Sequence, residues 1–150
     1  MRQNITKNID LTRFSYTNIG TISGVRIYFI DYIMQKMCDL KSMEFEIPLH
    51  EMYSVMPISN NGSKNFSKRE LIQILESVKN GIIYETNEKI FNIIEIRGIN
   101  LYINLGFNYN PNKSSRSIII LKEIYEESDR LTMQLFFRCN RKKKYKFKYI

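Results

Sequence analysis

The sequence predicts an α+β domain, and three observations predict it. Apolar residues recur at spacings of three and four from Ser23 to Leu40, a Ser67/Glu70 pair opens a second periodic run, and from Ile82 onward the apolar residues fall into short β-rich stretches separated by turn residues. A chain of 150 residues, 43% hydrophobic and 25% charged with 6 Gly and 3 Pro, has the balance of one folded domain rather than of a disordered chain.

Residues 1–22 are polar and mixed, with Leu11, Phe14, Tyr16 and Ile19 as scattered anchors, and read as a partly ordered N-terminal arm ahead of a single domain over 23–150. From Ser23, a candidate cap, Val25, Tyr28, Phe29, Tyr32, Ile33, Met37 and Leu40 form one stripe of a helix. Glu44-Phe45-Glu46-Ile47 alternates as a short strand. Pro48 then suits the first turn of a short helix whose apolar face is Leu49, Met52, Tyr53 and Met56, ended by Pro57 and the Ser59–Ser63 cluster. Ser67 and Glu70 form a capping box, with Phe66 and Leu71 at the spacing of a hydrophobic staple, and the helix they open runs through Leu71, Ile72, Leu75 and Val78 to Asn80-Gly81. Ile82–Glu85, Lys89–Arg97 and Leu101–Phe107 then read as a β-meander or long hairpin, and 108–115 as a loop. Residues 117–129 suit a helix with Ile118, Leu121, Ile124 and Tyr125 inward, although Ile118-Ile119-Ile120 equally suits a strand. Leu131–Phe137 and Lys144–Tyr149 alternate as a terminal strand pair.

Charge is segregated along the chain. The formal charge is +8, and Arg138, Arg141, Lys142, Lys143, Lys144, Lys146 and Lys148 fall in the last thirteen residues with no acid among them, which leaves about +1 on residues 1–137. A nearly neutral body with a cationic end suggests a polyanionic partner. The tail's cations would neutralise phosphates, and Tyr145, Phe147 and Tyr149 would stack on unpaired bases; alternatively the aromatics pack inward and the lysines protect a sheet edge. Cys38 and Cys139, without CxxC spacing, read as reduced thiols of an intracellular, cytoplasmic protein. The N-terminus lacks the apolar core of a signal peptide, and no apolar run approaches the ~20 residues needed to span a bilayer.

Helix, short strand, short helix, capped helix and hairpin follow one another in the order of a winged helix, in which the third helix enters the major groove and the hairpin touches flanking backbone. Lys64, Lys68, Arg69 and Gln73 stand at and around the start of that third helix, where cations and amides reach phosphates and base edges; the same residues would equally form an ordinary solvated face. Arg26-Ile27-Tyr28-Phe29-Ile30, Phe45-Glu46-Ile47-Pro48-Leu49-His50-Glu51-Met52 and the 67–78 helix leading into Gly81-Ile82-Ile83-Tyr84 together resemble the first winged-helix domain of plasmid replication initiators. The resemblance covers roughly residues 24–107. It implies recognition of repeated duplex DNA sites and self-association as a homodimer, with Lys68, Arg69 and Gln73 facing the groove. Those initiators carry two such domains, and residues 108–150 do not read as a second.

No enzymatic apparatus, metal site or cofactor is expected. His50 is the single histidine, so neither a histidine metal site nor a paired-histidine nicking site can be assembled. Gly-rich phosphate loops, GxSxG and HExxH are absent from the sequence. The pair Glu44/Glu46 and the group Glu123, Glu126 and Glu127 would hold Mg²⁺ only in a geometry that ordinary solvated acids rarely adopt, and a Cys38 or Cys139 nucleophile would need His50 beside it. The expectation is therefore sequence-specific DNA binding in replication initiation or its control on a mobile element. Arg141, Lys142, Lys143, Lys144, Lys146 and Lys148 would add affinity from the tail. An RNA-binding or ribonucleoprotein role for that tail, and a non-enzymatic protein-interaction role such as a viral accessory factor, are the alternatives.

Overall fold

A computed structural model describes residues 3–20, 24–56 and 66–127. Among them the chain is mixed α+β, with four α-helices and three small antiparallel sheets. Helix α1 (Gly24–Leu40) is the axis of the core: Ile27, Tyr28, Phe29, Ile30, Ile33, Met34 and Met37 are all buried. A helix that is apolar on every side has no solvent face to keep, so it is wrapped rather than laid on a surface. The stripe read from the sequence captured only part of this. Leu40 is exposed and Val25 half-buried, whereas Ile27, Ile30 and Met34, off the stripe, are sealed.

What wraps α1 includes the N-terminal segment. Strand β1 (Ile5–Asn8) pairs antiparallel with β8 (Ser117–Ile120), Ile5 opposite Ile120 and Lys7 opposite Ile118, and a 3-10 turn over Ile9–Arg13 follows. Strand β2 (Tyr16–Thr17) joins β4 (Ile82–Ile83), itself paired with β5 (Glu88–Lys89). Ile5, Leu11, Phe14, Tyr16 and Ile19 are all buried, so the stretch read as an arm supplies part of the core. The ambiguity at 117–129 resolves into both alternatives in succession: β8 takes the β-branched run, and α4 (Lys122–Glu127) follows and packs on α1. Tyr125 is buried edge-on against Tyr28, their ring centroids 5.2 Å apart. The expected strand pair after it lies outside the described residues, as do the Ser23 cap and residues 57–65.

The remaining elements form the layer that carries α3. Strand β3 (Glu44–Pro48) runs directly into α2 (Leu49–Val55), with Pro48 serving as both the last strand residue and the N-cap, one place earlier than the first-turn position expected for it. Helix α3 (Lys68–Val78) has its capping box intact: the Glu70 N–H donates to Ser67 Oγ at 3.2 Å, and Glu70 Oε1 accepts from the Ser67 N–H at 3.3 Å. Such a cap contributes about 1 kcal/mol and fixes where the helix begins. Strands β6 (Phe91–Arg97) and β7 (Asn100–Leu105) form a hairpin, and β3 adds to the β7 edge, giving the order β3-β7-β6. Gly98, at φ +63°, takes the first of two turn positions, where the fit to twisted strands demands a positive φ. Gly81, between α3 and β4, is required by space: a Cβ there would lie 2.8 Å from Ile90 Cδ1 and 3.0 Å from Ile19 Cγ2. No helix among the described residues is long and apolar enough to cross a membrane.

Candidate nucleic-acid interface

Helix α3 is strongly two-sided. Leu71, Ile74, Leu75 and Val78 are buried, and Phe66, just before the cap, is buried with Leu71 as the staple spacing requires. Lys68, Arg69, Ile72, Gln73 and Glu76 are all exposed on the other side. Lys68 and Arg69 occupy the first two helical positions, where unpaired backbone N–H groups and the positive end of the helix dipole add to their charge. Glu70 is turned back into the capping box, and Glu76 pairs with Lys79 at 2.7 Å.

The helix is held at both ends. Asn18 sits in the left-handed region at φ 57° and donates from Nδ2 to the Asn80 carbonyl at 2.9 Å, closing the C-terminal end. Glu85 accepts from Ser15 at both the backbone N–H (2.5 Å) and Oγ (2.8 Å), which ties β2 to the turn after β4. The N-terminal segment is thus a splint at the C-terminal end of α3 and along β4. Nothing in the local sequence of 15–20 announces this, because both contacts are made to residues more than sixty positions away.

The hairpin turn is open, with Ile99 80% exposed, and the Leu49 N–H at the start of α2 donates to the Ile99 carbonyl at 2.9 Å, one step beyond the Pro48–Asn100 pair of the β3–β7 ladder. Register puts Glu46, Tyr102 and Glu95 side by side on the outer face, with Glu44 beside Asn104 in the next row. Arg97 bonds Glu95 at 2.5 Å and lies 3.7 Å from the Tyr102 ring centroid, and the Tyr102 hydroxyl donates to Glu44. This face carries three carboxylates and one cation, and that cation is engaged, so it repels phosphate. Lys68 and Arg69 are the exposed cations of α3; others stand elsewhere on the described body, at Arg13, Lys41, Lys89, Lys113 and Arg116.

Of the other residues singled out from the sequence, Lys64, Arg141, Lys142, Lys143, Lys144, Lys146 and Lys148 lie outside the described residues, as does Cys139. Cys38 is half-buried and its thiol is pushed up to about 11 by burial, with Asp39 adding to the effect, so it rests protonated and unreactive at neutral pH. His50 is exposed on α2. Among the described residues no group of three or more His, Cys, Asp or Glu is placed to hold a metal ion. No family model, no curated protein and no solved structure matches this chain.

Sequence reasoning missed a buried polar cluster beneath this surface. Asp31, fully buried in α1, accepts at Oδ1 from Lys7 Nζ (2.8 Å) and the Tyr16 hydroxyl (2.7 Å), and at Oδ2 from the Tyr125 hydroxyl (2.8 Å). One carboxylate so joins β1, β2, α1 and α4. Burial pulls the Lys7 ammonium down while Asp31 holds it up, and burial beside Asp31 raises both tyrosines well above 10.0. The signal was present: Asp31 interrupts the apolar run of α1, and Lys7 follows Ile5 at the strand period. The cluster is sealed and so structural. It sets an alkaline limit on the fold. Above a pH of about 10.0 unfolded tyrosines ionise while Tyr16 and Tyr125 keep their protons, so the folded state binds more protons and loses stability as pH rises. Lys7 acts oppositely, adding stability with rising pH only up to its ordinary 10.5. Beyond that value Tyr125→Phe should flatten the fall by one proton, about 1.4 kcal/mol per pH unit. Urea titrations across pH check this, and an unchanged slope would contradict it.

Proposed function

We propose that this chain binds duplex DNA through α3, as a winged-helix domain acting in replication or its control on a mobile element. The observation that carries the proposal is the outward presentation of Lys68 and Arg69 at the start of α3 with Gln73 on the same helix. The element order α1, β3, α2, α3, then β6 and β7 after the short strands β4 and β5, and the sheet order β3-β7-β6 support the winged-helix assignment. The cap and the splint at Asn18 make α3 rigid enough to read a groove. The acidic outer face of the β3-β7-β6 sheet supports an approach led by α3. In this arrangement the basic segment 138–150 adds affinity without specifying sequence.

A salt titration separates the two contributions. Duplex binding should survive deletion of residues 140–150, with the dependence of log K on log salt made shallower by the phosphates the tail no longer reaches, about 0.9 for each. If the deletion abolishes duplex binding, or if single strands are preferred throughout, the tail carries the function and the RNA-binding alternative replaces this one.

A further inference from the structure

Ile72 is the exception on α3. The helix buries four apolar side chains and exposes Lys68, Arg69, Gln73, Glu76 and Lys79, yet Ile72, at 43% exposure, stands among these polar groups. Among the described residues it is no part of the core cluster. The buried face of the helix is complete without it, and a β-branched residue at an exposed helix position is a poorer helix former than Lys, Glu or Gln. Helical geometry places it four residues beyond Lys68 and three beyond Arg69, one turn into the helix and directly before Gln73, so two cations, an amide and a branched apolar group share one strip, which Glu76, paired with Lys79, continues one turn on.

We infer that Ile72 contacts the 5-methyl group of thymine, and that the face it shares with Gln73 selects A·T pairs in the major groove. This rests on α3 being the DNA-facing helix. The thymine methyl is the apolar group that a B-form major groove presents, and adenine N6 and N7 are the pair that a glutamine amide satisfies with both of its polar atoms. Lys68 and Arg69, at the helix start, hold phosphates on the groove wall and fix the register in which Ile72 and Gln73 meet the base edges. Isoleucine beside glutamine thus matches the two halves of one base pair, or of neighbouring pairs.

Thymine and uracil differ by that methyl alone, which makes the test direct. Alternating d(AT) and d(AU) duplexes of equal length are titrated with the full chain and with Ile72→Ala at near-physiological salt. The intact chain is expected to favour d(AT) by about fourfold for each methyl buried. Ile72→Ala should bind the two duplexes equally, with its thermal midpoint close to that of the parent because the site is exposed. Equal affinities for the intact chain overturn the inference and leave an incidental surface isoleucine, or one that meets a protein; a preference retained in Ile72→Ala overturns it too. Failure of the intact chain to retain either duplex at low ionic strength removes the DNA-binding assignment itself, and the thymine contact with it. Retention of both without preference removes the thymine contact alone.

Discussion

Asp31→Ala should unfold much of the population at temperatures where the parent is stable. The substitution removes the Asp31 carboxylate that pairs with the fully buried Lys7 ammonium and accepts from two tyrosine hydroxyls, on β2 and α4. Breaking a buried pair on one side costs about 3–5 kcal/mol, against a total stability for such domains of about 5–15 kcal/mol. Removing both charges should be milder. Lys7→Met combined with Asp31→Leu replaces the pair by apolar groups of similar volume and is expected to recover the part of the loss that comes from the buried ammonium, while the Tyr16 and Tyr125 hydroxyls still lack the Asp31 acceptor. Urea denaturation of the three proteins checks this. A loss under about 1 kcal/mol for Asp31→Ala would mean that water reaches the cluster and that the four elements are not joined through it.

The second large effect is on binding. Lys68→Ala with Arg69→Ala removes the two cations at the head of α3 and touches nothing in the core, since both side chains are exposed and the cap is formed by Ser67 and Glu70. Stability should therefore change by a few tenths of a kcal/mol. If each side chain contributes about 1–3 kcal/mol to duplex binding, the double variant binds at least about thirtyfold more weakly. The comparison with Asp31→Ala is informative, because one variant loses the fold and the other loses the ligand while keeping the fold.

The parts of this molecule that are encoded locally could be read from the sequence. The Ser67/Glu70 cap, the amphipathic face of α3, the Gly98 turn and the alternation of β3 are each set within a few residues, and the α+β class follows from them. What could not be read depends on distant partners. Strands β1 and β2 are four and two residues long, and they exist because β8 and β4 complete them from the other end of the chain. Their apolar residues therefore show too little periodicity to register as strands. Helix α1 was legible as a helix and illegible as a core, because a stripe drawn at three and four misses Ile27, Ile30 and Met34 when the helix is buried all round. The outer face of the hairpin needed the register: Glu46 and Glu95 are far apart in sequence and flank Tyr102 only once β3, β7 and β6 are aligned. The exposed residues of α3 were visible as candidates from the outset. What the structure adds is where the helix's acids go: Glu70 accepts in the capping box and Glu76 pairs with Lys79.

The slope of log K against log salt for a duplex probe, measured on the parent and on Lys68→Ala/Arg69→Ala, tests the role of α3 most directly. Two lost phosphate contacts should make the variant's line shallower by roughly 1.8, alongside its lower affinity. Coincident lines of equal slope and height would show that the duplex does not meet α3, and the assignment of this helix to the groove would be contradicted.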